Sequence, residues 1–325
     1  MKKVAAIATL LLCFFAFLPE GRSQQRPQMT HYLFQQLAYN PAYAGAKGYL
    51  QSGLSLRSQW MGMKGGPRTG FFSIHSALRN KRVALGLEAQ SDWIGPSRYT
   101  QVQAVYAYRI QLEKVRFSAG VQAGMENYRT DWSGLDLENP IDEAFPQTPA
   151  SWWNPVIGVG LMAQGTHWYA GVSCPYLLEQ YLFYDSGSTY ATRRHRHAYA
   201  MAGGDWDLTH EWRFLAATLF SAVWGKDNYG APVSWDSYGA LFYRNLLLGG
   251  ISVQSGIPVW TANGGLGQSG GLFAVIQLEN GLRFGLSYDI PLSKLATPNI
   301  GSVEWTMGYE WKVKARRIST PRFFW

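Results

Sequence analysis

Apart from Cys13, which falls inside an apolar leader, the sequence holds a single cysteine, Cys174, so no disulfide framework stabilises the fold. Charge is also scarce. Asp, Glu, Lys and Arg make up 15% of the chain, where about 25% is usual. Beyond the leader no apolar run approaches the roughly 18 residues of a spanning helix. The longest, 214–224, is too short for that, yet long enough for a tilted membrane strand. These absences exclude a disulfide-stapled secreted domain and argue against a soluble enzyme.

What is abundant points elsewhere. Glycine supplies 35 of 325 residues and aromatics 15%, a composition that suits a transmembrane β-barrel. Lys2 and Lys3, an apolar run over 4–18, and small residues at Gly21 and Ser23 read as a secretory signal peptide over residues 1–23. Leu12 stands where a lipoprotein anchor needs a small residue, so Cys13 is not lipidated. The net charge of +8 lies in turns and at the C-terminal end. For an exported chain, that favours attraction to anionic lipid, lipopolysaccharide or an acidic partner, with no role for nucleic acid.

Alternation of period two recurs from Tyr49 almost to the end. Val83, Leu85, Leu87 and Ala89 alternate with Ala84, Gly86, Glu88 and Gln90; Val303, Trp305, Met307 and Tyr309 alternate with Ser302, Glu304, Thr306 and Gly308. About 14 strands are expected, starting near 49, 68, 82, 99, 114, 156, 167, 197, 212, 233, 247, 272, 282 and 302. Connection lengths then decide the architecture. Links at 79–81, 111–113, 164–166, 244–245 and 280–281 are tight, with a longer one at 205–210. Those between them, such as 61–66, 126–155, 175–196 and 255–270, are mostly long. A soluble sandwich has no reason to sort loop length by parity, whereas an outer-membrane barrel has short periplasmic turns and long external loops. The expected fold is therefore all-β: a closed antiparallel transmembrane barrel with both termini periplasmic. Trp60, Trp93, Trp168, Trp224 and Trp311 fall near strand ends, where interfacial aromatics belong.

Signals of chemistry are weak. The glycine pattern at 265–270 precedes a strand rather than a phosphate-binding helix, and reads as a surface loop. Three arginines around His195 and His197 oppose a metal cation and suit phosphate or solvent. The acidic stretch from Asp131 to Glu143 lacks the ligand spacing of a calcium loop. His75, His167 and His210 are scattered, no G-x-S-x-G occurs, and Cys174 sits on an apolar strand face. Arg57, Arg82, Glu88, Asp92, Arg109, Arg116, Glu126, Arg283, Asp289, Glu304 and Glu310 form a mixed-sign inward set whose mutual pairing would fill the lumen. No catalytic, cofactor-binding or metal-ligating residue is assigned.

Several stretches resemble the PorP/SprF family: Tyr39-Asn40-Pro41-Ala42-Tyr43-Ala44-Gly45, Arg57-Ser58-Gln59-Trp60, Ser73-Ile74-His75-Ser76-Ala77-Leu78 and Ser287-Tyr288-Asp289-Ile290-Pro291-Leu292-Ser293. Gly95-Pro96, and Gly171-Val172-Ser173 followed by Pro175 and Leu177-Leu178, add to the likeness, which spans nearly the whole mature chain. Cys174 and the loop over 126–155 depart from it, and nothing is carried over there. The resemblance implies a non-enzymatic outer-membrane protein of the Bacteroidetes type IX secretion and gliding machinery. Such a protein supports export or surface anchoring of a large adhesin-like cargo and binds that cargo's C-terminal sorting domain. It also implies a periplasmic peptidoglycan-binding partner with an OmpA-like domain. The alternative is a channel for hydrophobic small molecules similar to the FadL family, whose barrels also have about 14 strands and an Asn-Pro-Ala turn. This chain is short for that family. A general porin is disfavoured by the mixed inward charges.

The expected organisation is a signal peptide (1–23), an N-terminal periplasmic segment (24–47), the barrel (48–312) and a basic, aromatic tail (313–325). In the N-terminal segment the helix-like spacing of Met29, Tyr32, Leu33 and Leu37 predicts a short turn capped by Thr30, which Asn40-Pro41 breaks. Tyr39, Asn40, Pro41 and Tyr43 are the candidate plug or docking residues, packing into or across the periplasmic mouth. Lys314, Arg316 and Arg317 in the tail are the candidate contacts for the periplasmic partner.

Overall fold

Inward and outward faces separate by side-chain type along every well-described strand, and the sheet they build closes on itself. The computed structural model describes residues 29–79, 81–131, 150–183, 192–224, 233–257, 269–292 and 300–311. Its strands are β1 (Gln51–Ser58), β2 (Arg68–Ala77), β3 (Val83–Ile94), β4 (Ser97–Leu112), β5 (Val115–Thr130), β6 (Ala150–Gln164), β7 (Trp168–Tyr176) and β8 (Gln180–Phe183). They continue with β9 (Thr192–Arg194), β10 (Arg196–Asp207), β11 (Trp212–Trp224), β12 (Val233–Tyr243), β13 (Leu247–Ile257), β14 (Ser269–Gln277), β15 (Leu282–Pro291) and β16 (Ser302–Glu310). Fourteen of them form a closed antiparallel barrel in sequence order, sealed where β1 pairs with β16 from Gln51↔Glu310 to Ser58↔Val303. Closure leaves no unpaired sheet edge for lipid to meet. No described helix is long and apolar enough to cross a membrane, which is no constraint on a barrel.

On β4 the buried Gln101, Gln103, Val105, Ala107 and Arg109 alternate with exposed Val102, Ala104, Tyr106, Tyr108 and Ile110. Leu85, Leu87, Val121, Leu161, Val172, Ile251, Leu272, Leu286 and Trp305 likewise point outward. Polar residues inside and apolar residues outside invert the soluble pattern, as lipid requires. Trp60, Trp93, Trp168 and Trp311 are all exposed near strand ends.

The short links use left-handed backbone at Lys81, Glu113, Arg244, Asn245 and Gly281, the geometry that tight hairpins demand. The structure revises the strand map in two places. β6 starts at Ala150, earlier than expected, and β5 runs on to Thr130, so the connection between them is shorter than 126–155. Pro155 falls within β6 and has no N–H to give a neighbouring strand. It is accommodated because β6 pairs with β7 only from Val159 onward. Between β7 and β10 the chain adds an unexpected hairpin, β8–β9, outside the barrel sheet.

Residues 29–46 do not pair with any strand. They form a strap of three 3-10 turns, Tyr32–Phe34, Gln36–Ala38 and Pro41–Tyr43, running inside the barrel. Met29, Tyr32, Leu37, Ala38, Tyr39, Ala42, Ala44 and Ala46 are buried. The barrel's main apolar core is this strap meeting inward Phe71, Tyr199, Met201, Leu219, Tyr238, Leu248, Phe273 and Val275.

Candidate functional site

The strap is held at four levels. At the first, the Thr30 hydroxyl donates to Asp289 Oδ2 at 2.5 Å and accepts from Arg57 Nη1 at 2.5 Å, while Thr30 N–H donates to Glu304 Oε2 at 2.7 Å. Arg57 Nη1 lies 2.6 Å from Asp289 Oδ2 and 3.2 Å from Glu304 Oε2, and Ser55 Oγ donates to Glu304 Oε1 at 2.6 Å. All these side chains are buried. They come from β1, β15 and β16, toward the ends that carry the longer connections. Thr30 is therefore an anchor rather than a helix cap. The turn that follows is preceded by His31 and has no side-chain cap.

The second level is aromatic. The Tyr32 ring packs 4.7 Å from Tyr238, and its hydroxyl meets that of Tyr169 at 2.9 Å. Tyr39 packs edge-on to Tyr199 at 5.3 Å, its hydroxyl accepts from Met29 N–H at 3.2 Å, and its carbonyl accepts from Ser173 Oγ at 2.6 Å. His31 is buried between Phe34 and Phe273 at ring distances of 5.9 and 5.8 Å.

Asn40-Pro41-Ala42 makes the third contact. Asn40 is extended at φ −141°, its Oδ1 accepts from Ala42 N–H at 2.9 Å, and Pro41 opens the next turn. Its Nδ2 donates to the carbonyls of Leu161 at 3.0 Å and Val172 at 3.4 Å, reaching β6 and β7 at once. Close approach is possible because Gly120 and Gly160 face the strap. A Cβ on Gly120 would collide with Ala42 N and Pro41 C, and one on Gly160 with Asn40 Oδ1.

At its exit the strap is held through its backbone. Gly45 N–H donates to His75 Nδ1 at 3.0 Å, Arg109 donates to Gly45 O, and Arg116 Nη1 donates to Ala46 O at 2.8 Å. Lys47 pairs with Glu310, which also accepts from Tyr49 OH at 2.9 Å. Tyr43, half-buried, packs 5.7 Å from the His75 ring.

The expected inward set therefore meets mostly within the lumen. Gln103 donates to Glu88 at 2.6 Å, Gln90 to Asp92 at 2.6 Å, and Tyr99 to Glu126 at 3.1 Å. Arg82 differs: it precedes β3 and is exposed. His197 is buried and stacks near Tyr176 and Tyr199, rather than facing solvent. His75 is occupied by the strap, and Cys174 contacts the Tyr176 carbonyl at 3.5 Å. Among the described residues no three His, Cys, Asp or Glu side chains converge as metal ligands. Lys314, Arg316 and Arg317, most of the acidic stretch after Asp131 and most of the 265–270 glycine pattern lie outside the described residues. Sequence reasoning missed Gly120, Gly160 and Gln35, whose side-chain oxygen accepts from Ser73 Oγ on β2 at 3.2 Å. The available signal was inward-register glycine in otherwise well-packed strands.

Solved structures of other outer-membrane barrels share the overall form only loosely. Omp33 of Acinetobacter baumannii aligns at 11% identity and TM-score 0.43, over 81% of this chain and 99% of that one. The Ralstonia pickettii toluene transporter TbuX aligns at 12% and 0.47, over 84% and 92%. A mutant of the monoaromatic hydrocarbon channel TodX aligns at 11% and 0.43, over 90% and 96%. None of these is close enough to argue function from. No curated protein matches the sequence. The model of the type IX secretion system membrane proteins PorP/SprF matches residues 21–309. With its closed 14-strand wall, apolar outside and polar within, this chain belongs to the PorP/SprF family, as an outer-membrane barrel of type IX secretion.

Proposed function

We propose that the protein is a plugged, non-enzymatic barrel that supports export or surface anchoring of one type IX cargo by binding its C-terminal sorting domain. The observation that carries this reading is the strap. Tyr39, Asn40, Pro41 and Tyr43 run through the lumen and are tied to β6, β7 and β2, which leaves the protein's outer rim as the working surface. A channel for hydrophobic small molecules would need that lumen, or a lateral opening in a wall whose strands pair around the full circle. The longer connections offer adaptable contact area on one rim, the usual place for recognition. The deciding experiment is deletion of the gene, read by surface proteomics beside uptake of hydrophobic compounds. One large surface protein should disappear, with uptake unchanged. Lost uptake with an intact surface proteome would establish the channel instead.

In this reading the short turns face the periplasm, and so does the end of β16. Residues beyond Trp311 then emerge there, where Lys314, Arg316 and Arg317 meet an acidic face of the OmpA-like partner. An epitope tag between Asp131 and Ala150 should be labelled on intact cells, and one after Trp311 only after permeabilisation. The opposite labelling would invert the barrel.

A further inference from the structure

The outer wall is not uniformly convex. On the lipid-facing side of β4–β7 lies a groove of about 600 Å³, between Ile110 and Phe117 on one flank and Leu161 and Val172 on the other. Ala163 and Ala170, paired across β6 and β7, supply the small side chains that leave it open. Phe117 pairs with Ile110 and Ala163, so the groove lies close to the short-turn ends of these strands. Exposed Trp168 stands beside it at the first residue of β7, the position at which aromatic side chains mark the membrane–water boundary.

A concentration of positive charge lies at that boundary. The turns before β3 and β5 expose Arg79, Lys81 and Lys114 against one carboxylate, Glu113. The two turns are neighbours, since Arg109 N–H donates to the Arg82 carbonyl at 2.7 Å. Elsewhere on the same rim the arginines are paired: Arg213 with Asp205 and Asp207, and Arg244 with Glu211. Among the described residues, neither Lys81 nor Lys114 makes an ion pair. An apolar groove ending at unbalanced ammonium groups has the polarity of a phospholipid laid along the wall.

We propose that this wall binds one anionic phospholipid from the leaflet at the short-turn rim, with an acyl chain between Phe117 and Leu161 and the phosphate at Lys114. The groove's size falls within the range of small-ligand sites, and a cation at headgroup level attracts an anionic lipid more than a zwitterionic one. The site is independent of which cargo the barrel serves. It ties the barrel to the lipid composition of one leaflet.

The test is native mass spectrometry of the full-length barrel released from detergent containing equal amounts of phosphatidylglycerol and phosphatidylcholine with matched chains. The wild type should retain one phosphatidylglycerol, and Lys114→Glu should cut that retention about fivefold. Ala163→Phe should abolish it by filling the groove, and Ala170→Leu serves as the second groove variant if Ala163→Phe loses its heat-modifiable migration. Equal retention of the two lipids by the wild type, or groove-filled variants that bind like the wild type, would overturn the site. So would stronger retention of lipid A in a parallel competition, because lipid A belongs to the other leaflet. Cargo display in the gene deletion is read separately, so either proposal can fail alone.

Discussion

Gly120→Val should dislodge the strap and convert a silent barrel into a conducting one. An added Cβ at Gly120 would overlap main-chain atoms of Pro41 and Ala42, not the tip of a flexible side chain. One partner must move. The wall at that point is held on both sides, by Gly120↔Ala107 to β4 and Gly120↔Gly160 to β6. The strap is held there mainly by Asn40, whose two amide hydrogen bonds are worth about 1 kcal/mol each. Overpacking a filled interior costs about 1–3 kcal/mol, enough to offset that anchor. The strap therefore yields first. In planar bilayers the wild type should stay near background, and Gly120→Val should carry steady ohmic current with its strand-rich spectrum and heat-modifiable migration intact. Gly160→Val, which collides with the Asn40 side chain, should do the same more weakly. Wild-type conductance equal to that of both variants would remove the strap as a plug.

How far the sequence reveals this arrangement depends on which force sets each feature. Strand positions are legible because lipid outside and polar groups inside impose a strict period of two. Turn parity is legible because hairpins need few residues. Asn40-Pro41 is readable as a break, since proline fixes its own φ and Asn favours a cap. The path of the strap is not readable. Its contacts join residues far apart in sequence, such as Thr30 with Glu304 and Asn40 with Leu161, and local patterning carries no trace of them. The spacing of Tyr32, Leu33 and Leu37 marks a short turn there without fixing its kind. Short apolar spacing suits an α-helical and a 3-10 turn equally well, and inside a crowded lumen the wall decides between them. The early start of β6 is a further case in which a paired neighbour, β5, overrides the local preference set by Pro155.

Arg57→Met should destabilise the barrel by about 3–5 kcal/mol, because it leaves two buried carboxylates without the one cation that pairs with them among the described residues. Asp289 and Glu304 both face Thr30, so the loss should fall on the strap and on the β1–β16 seam together. A lower urea midpoint would register the loss, and the variant's conductance would rise above the wild-type level in step if the strap frees itself. The informative comparison is the triple change Arg57→Met, Asp289→Asn, Glu304→Gln, which removes charge of both signs. Replacing a buried ion cluster wholesale is often close to neutral, whereas breaking it is not. The triple variant should therefore be more stable than Arg57→Met, despite carrying more substitutions. A triple variant less stable than the single one would mean that each side chain acts through its own hydrogen bonds, with Ser55 and Thr30 as the partners that matter. The ordering of the two variants thus separates charge balance from hydrogen bonding as the force that seats Thr30 at the β1–β16 seam.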